Sequence, residues 1–229
     1  MSDRGVIFDM DGVLIDSYDA HFESWKRIAD NHGLEMTEEM FASTFGQTNP
    51  TIIRQLWPDR ADRQTIAEMG EEKERIFRDI LREDLPEMPG AGDLLRRLDE
   101  SGFRLAVGSS GPTENVQAVL ENLPGAERIS AIVTGSDVSH GKPDPEVFLI
   151  AAGKLGLPPA SCLVVEDAPP GVEAARNAGM ACIALTGTAP ADMLTRRGAA
   201  LVVDGLDEIS AYGAGKLIEV NTNPSETNS

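Results

Sequence analysis

The stretch VIFDMDGVLIDS, Val6 to Ser17, ends an apolar run in Asp9 and then adds Asp11 and Asp16. Carboxylates two residues apart, where a hydrophobic segment stops, repel one another and raise each other's pKa. A cation beside them removes that penalty, and the pair then has chemistry to offer. One carboxylate can attack an electrophilic centre and carry the transferred group. The other can protonate a leaving oxygen and later deprotonate water.

Three more segments end in groups of the same kind. VGSS closes on Ser109 and Ser110, HGKPDP presents Lys142, and CLVVED closes on Glu166 and Asp167. Carboxylates, hydroxyls and one ammonium together suit phosphoryl transfer. Mg2+ takes a few hard oxygen ligands, waters and a substrate phosphate, and Asp9 and Asp167 can supply the protein's share. Ser109, backbone N–H groups and Lys142 can hold phosphoryl oxygens while charge redistributes.

The elements that must position these groups are short apolar runs alternating with helical patterns. The runs are 5–9, 104–109, 131–135, 162–167, 181–186 and 200–204, and they are continuously apolar, as strands buried on both faces are. Helical periodicity fills 91–102, 113–123, 145–156 and 171–180. Strand alternating with helix predicts βαβ units and an α/β fold with a Rossmann-like parallel sheet. In such a sheet ligands bind at the carboxyl ends of the strands, which is where all four chemical segments fall.

Residues 18–86 break the alternation and read as helix, with turns expected at Gly33, Asn49-Pro50 and Pro58. Phe22, Trp25, Ile28 and Ala29 share one helical face, and Ile76, Phe77, Ile80 and Leu81 another. The expected domains are therefore a core of 1–16 and 88–220, a helical cap of 17–87 and a flexible tail of 221–229. Asp16 is expected to cap the first cap helix or brace the linker.

Composition narrows the function classes. The 229 residues carry 41% hydrophobic and 25% charged side chains, enough for a core without staples. A net charge of −18 argues against nucleic acid, and a small anionic substrate could bind only at a locally positive site, which a divalent cation would supply. No run approaches the ~18 apolar residues of a membrane span. MSDRGVIFD has no apolar leader core, so a cytoplasmic protein is expected. Cys162 and Cys182 lie in apolar runs and read as buried thiols.

DMDGVLIDS, VGSS, GKPDP and VVEDAPPGVEAARNAGM resemble, in order, the four motifs of the haloacid dehalogenase superfamily, and the helical insert resembles its C1-type cap. The likeness runs to about residue 210 and is greatest to the group holding β-phosphoglucomutase and sugar-phosphate phosphatases. The resemblance implies Asp9 as nucleophile and Asp11 as general acid/base. It implies Ser109, Ser110 and Lys142 as phosphoryl-binding, and Asp9, Asp167, Glu166 and the Asp11 carbonyl around Mg2+.

In the cap, His21 matches a histidine that can bond the acid/base carboxyl. Lys73 resembles a substrate-binding lysine, although EEKER also reads as a solvated charge run, and Ser17 sits at the hinge. Two departures separate this chain from the mutases of that group. Asn49 stands where they carry an arginine, and Gly111 to Thr113 where they carry a serine–lysine pair. Arg54, on the next helical turn, could substitute for that arginine, which keeps the mutase alternative open. The expectation is a monomeric, Mg2+-dependent phosphatase of a small phosphorylated metabolite, with a hexose-phosphate mutase as the alternative. A dehalogenase needs neither Asp11 nor a metal-binding acid pair. A non-catalytic binder would have lost one of Asp9, Asp11, Lys142 or Asp167.

Overall fold

The computed structural model describes residues 3–222, which divide into two units, up to Asp16 with Glu87 onward, and Ser17–Pro86. The boundary on the return falls one residue before the expected position.

The first unit opens with β1 (Gly5–Phe8), whose four residues are all buried. The second unit contributes α1 (Tyr18–Asn31), α2 (Glu38–Ala42), α3 (Asn49–Leu56) and α4 (Arg63–Glu83). The first unit resumes with α5 (Ala91–Glu100), β2 (Arg104–Gly108), α6 (Thr113–Leu120), β3 (Ile129–Val133), α7 (Glu146–Leu155) and β4 (Cys162–Glu166). It ends with α8 (Pro169–Asn177), β5 (Ala181–Leu185), α9 (Ala191–Arg197), β6 (Leu201–Val203) and α10 (Ala211–Thr222).

Among the described residues the six strands are all parallel, in the order β3-β2-β1-β4-β5-β6. β1, β4 and β5 are buried at every residue, which is why their sequences lack polar alternation. Val147, Phe148 and Ala151 of α7 and Val172 and Ala175 of α8 pack with Ile7, Ala106 and Val164 of the sheet. Leu94, Leu95 and Leu98 give α5 its buried face.

Within the second unit, Trp25, Ile28 and Ala29 of α1 join Ile53, Met69 and Ile76 in a separate core, with Phe22 and Ile80 partly buried beside it. Each unit therefore has its own apolar centre. No helix among the described residues is long and apolar enough to cross a membrane.

Several expectations shift. β3 starts at Ile129, two residues early, and α8 starts at Pro169, where prolines are tolerated because first-turn N–H groups have no helical partner. The same rule overturns the turn expected at Asn49-Pro50, since Thr48 is the N-cap and both residues lie in the first turn of α3. Asp16 is exposed, and the N-cap of α1 is Ser17, which makes no side-chain cap bond. α10 runs through Asn221 and Thr222, two residues into the expected tail, and 223–229 lie outside the described residues.

Candidate active site

The strand order reverses at β1 and β4, where connections leave in opposite directions and open a crevice at the carboxyl edge. Phe8 pairs with Val165, and the N–H of Asp9 donates to the Val165 carbonyl at 2.9 Å. That register sets Asp9, the first residue past β1, beside Glu166 and Asp167 at the end of β4. Parallel pairing thus joins two motifs separated by more than 150 positions.

Lys142 comes to the same point from the loop before α7. Its Nζ donates to Asp9 Oδ1 and to Glu166 Oε1, each at 2.8 Å, and stands 4.8 Å from the centre of the Phe148 ring. All three side chains are nearly buried, at 9%, 12% and 1% exposure for Lys142, Asp9 and Glu166. Burial would pull the ammonium down, but the two facing carboxylates raise it above the ordinary lysine value.

The carboxylates move the other way. Burial pushes Asp9 up to about 7, the charges of Glu166 and Asp11 adding to the effect while Lys142 opposes it. Burial, with Glu166 and Asp9, pushes Asp167 up to about 8. One ammonium therefore does not balance this group, and a second positive charge would find a favourable place in it.

Glu166 is committed on both oxygens. Oε1 takes Lys142, and Oε2 accepts the N–H groups of Asp167 and Ala168 at 2.7 and 2.6 Å. It thereby pins the β4–α8 turn, and only a residue without a Cβ fits at Gly171, where a side chain would overlap the Glu166 carboxyl. Asp167 is held from two sides as well. The Thr188 hydroxyl donates to its Oδ2, and Gly12, at φ +73°, lies so close that a Cβ would collide with that oxygen.

Asp11 is half-buried in the turn after β1, where the Gly12 N–H donates to the Ile15 carbonyl at 2.8 Å and closes the loop. Ser109 is buried at the end of β2, and its Oγ accepts the Gly111 N–H at 3.0 Å. Ser110 is exposed one residue on. Gly135 donates to the Gly111 carbonyl, and the Thr113 and Thr134 hydroxyls bond at 2.8 Å, so the β2 and β3 loops brace each other.

In the second unit, His21, Asn49 and Lys73 meet through a residue the sequence reading left out, Glu74. Lys73 Nζ lies 2.8 Å from His21 Nδ1 and 3.2 Å from Glu74 Oε1, the same oxygen that accepts the Asn49 amide at 2.7 Å. Lys73 is only 2% exposed, so the solvated reading is overturned for this residue of EEKER, while Glu71 and Arg75 are exposed. Helical spacing turns Lys73 inward with Ile76 and Phe77, whose ring stacks on His21 at 4.0 Å. Ser17 is buried and accepts at its carbonyl from the His21 N–H at 2.9 Å.

Asp9, Glu166 and Asp167 each offer an oxygen within 4.8 Å of the others, an all-oxygen donor set of surplus negative charge that fits a hard divalent cation. Thr188, Gly12 and Gly171 are the supporting residues that motif reading missed. Thr188 sits in TGTAP just past β5, so its place at the carboxyl edge was the available signal.

The sequence profile described as haloacid dehalogenase-like hydrolase matches residues 6–185. Hexitol phosphatase A of Escherichia coli is 34% identical over 209 residues, 90% of this chain and 93% of that protein. A β-phosphoglucomutase of Bacillus subtilis is 31% identical, over 90% of this chain and 94% of its own length. The crystal structure of a family IA variant 3 hydrolase from Entamoeba histolytica superposes with a TM-score of 0.84 at 26% identity, covering 94% of this chain and 99% of that one.

Proposed function

This chain belongs to the haloacid dehalogenase-like hydrolases, and from that premise we propose that it is a phosphatase of a small phosphorylated metabolite, a sugar or sugar-alcohol monophosphate. The observation that carries the reading is the joining of Asp9, Lys142, Glu166 and Asp167 at the β1/β4 edge, with Asp11 one turn away. The relatives named above, a hexitol phosphatase among them, support the substrate class.

In this reading Asp9 attacks phosphorus, a P–O bond to its carboxylate forms, and the bond to the substrate's bridging oxygen breaks. Asp11 gives that oxygen a proton, then takes one from the water that attacks the aspartyl phosphate and frees inorganic phosphate. Lys142, Ser109 and the N–H groups around Ser110 hold the phosphoryl oxygens, which carry the charge of the transition state. Lys142 also favours the ionised form of Asp9 against the effect of burial. Asp9, Asp167 and the Asp11 carbonyl would hold Mg2+, which would supply further charge neutralisation there. Glu166, with both oxygens engaged, supports this arrangement from behind.

The mutase alternative lacks support in the second unit. The Asn49 amide is committed to Glu74, and the Lys73 charge is balanced by the same carboxylate. A second phosphate would need a cation there, since charge-assisted contacts are roughly twice as strong as neutral ones. The chain's charge of −18 argues against a nucleic-acid partner.

The test is phosphate release across a few dozen phosphorylated metabolites, with Mg2+ and with chelator, for the wild type and Asp9→Asn. Release from at least one sugar or polyol monophosphate is expected, lost with chelator. Asp9→Asn should fall below about 1% of wild type, because removal of a covalent nucleophile raises the barrier by several kcal/mol. Turnover above that level would reject Asp9 as nucleophile.

A further inference from the structure

We infer that Thr188 is a positioning residue that selects which oxygen of Asp167 is presented to the divalent cation, an assignment that rests on the metal-dependent reading above. The Thr188 hydroxyl donates to Asp167 Oδ2, and the backbone of Gly12 closes the far side of that same oxygen. Oδ2 is thus boxed between a donor and a Cα. Asp167 Oδ1 accepts no side-chain hydrogen bond among the described residues, which leaves it as the oxygen for a ligand.

The arrangement has a purpose that burial alone does not serve. A carboxylate at a strand end can rotate about χ2 and exchange its oxygens. One donated proton on Oδ2 stops that exchange and fixes the plane of the group. Glu166 already locks the Asp167 main chain through its N–H, so the hydroxyl removes the last rotation. Outer partners of this kind typically set metal affinity by about 10–100-fold.

Thr188 is itself exposed, in the loop between β5 and α9, so replacing it opens no cavity in the core. Thr188→Val keeps the shape and removes the donor, whereas Thr188→Ser keeps the donor. The direct readout is Mg2+ titration of the full-length, substrate-free protein by calorimetry, with Mg2+-activation curves alongside.

Thr188→Val should bind Mg2+ about 10–100-fold more weakly, as loss of an orienting partner does elsewhere. Its kcat should return towards wild type at saturating Mg2+, and Thr188→Ser should stay close to wild type throughout. A purely structural tie would instead lower the melting temperature of metal-free protein and leave Mg2+ affinity unmoved. Wild-type Mg2+ affinity in Thr188→Val, or no rescue by serine, overturns the inference while the metal-dependent reading stands. Equal Mg2+ binding by wild type and Asp167→Asn would bring down that reading itself, and the inference with it.

Discussion

Lys142 Nζ lies 2.8 Å from Asp9 Oδ1, a contact across 133 positions that unites the first motif with the third. The same nitrogen holds Glu166, so a single ammonium bridges carboxylates from two neighbouring strands. The repulsion implied by DMDG is therefore met first by a lysine, and only in part.

Removing that lysine should expose the imbalance. Breaking a buried ion pair from one side typically costs about 3–5 kcal/mol, because the orphaned charge stays buried. Lys142→Met in chelator should lose stability of that order at pH 8.5, where Asp9, pushed up to about 7, is ionised. The loss should shrink at pH 5, where Asp9 takes up a proton. Urea melts at the two pH values measure it, and equal losses would contradict this account.

Asp11→Asn should slow hydrolysis unevenly. General acid help is worth roughly 10²–10⁴-fold when the departing alkoxide is basic. A sugar phosphate should therefore suffer far more than p-nitrophenyl phosphate, whose leaving group needs little protonation. Comparing kcat/KM ratios for both substrates decides it, and parallel losses would remove Asp11 from the acid's role.

Metal-free protein should become less stable as pH rises. In the folded state Asp9 keeps its proton up to about 7 and Asp167 up to about 8, against a value of 3.8 for an ordinary aspartate. The folded state thus binds more protons than the unfolded one across that window. Its extra stability is full below the unfolded value and is lost as pH climbs through 7 to 8. With EDTA, the melting temperature should fall between pH 5 and 8.5, and Mg2+ should restore it at pH 8.5. Asp167→Asn should flatten the slope, and an unchanged slope in that variant would assign it to other groups.

Product analysis separates phosphatase from mutase. With β-glucose 1-phosphate and a catalytic amount of glucose 1,6-bisphosphate, any turnover should give glucose and inorganic phosphate. The Asn49–Glu74–Lys73 cluster has no uncompensated cation for a second phosphate. Glucose 6-phosphate forming faster than free phosphate would reverse the assignment.

The alternation of buried strands and amphipathic helices was legible in the chain because burial imposes its period on nearby residues. The motif carboxylates were legible because each ends a strand, and a parallel sheet delivers strand ends to one edge. α9 and α10 were not anticipated, since AYGAGKLIEVNT shows only a weak apolar face. The solvated reading of Lys73 fails because charge runs look solvated in one dimension, and only packing of α4 on α1 determines which way a residue of that run turns. The partners of Lys142, the bond from Thr188 to Asp167 and the bond from Asn49 to Glu74 join residues 21 to 133 positions apart. Those were decided by tertiary structure alone, because contacts of that range depend on strand order and loop paths, which no local pattern of residues encodes.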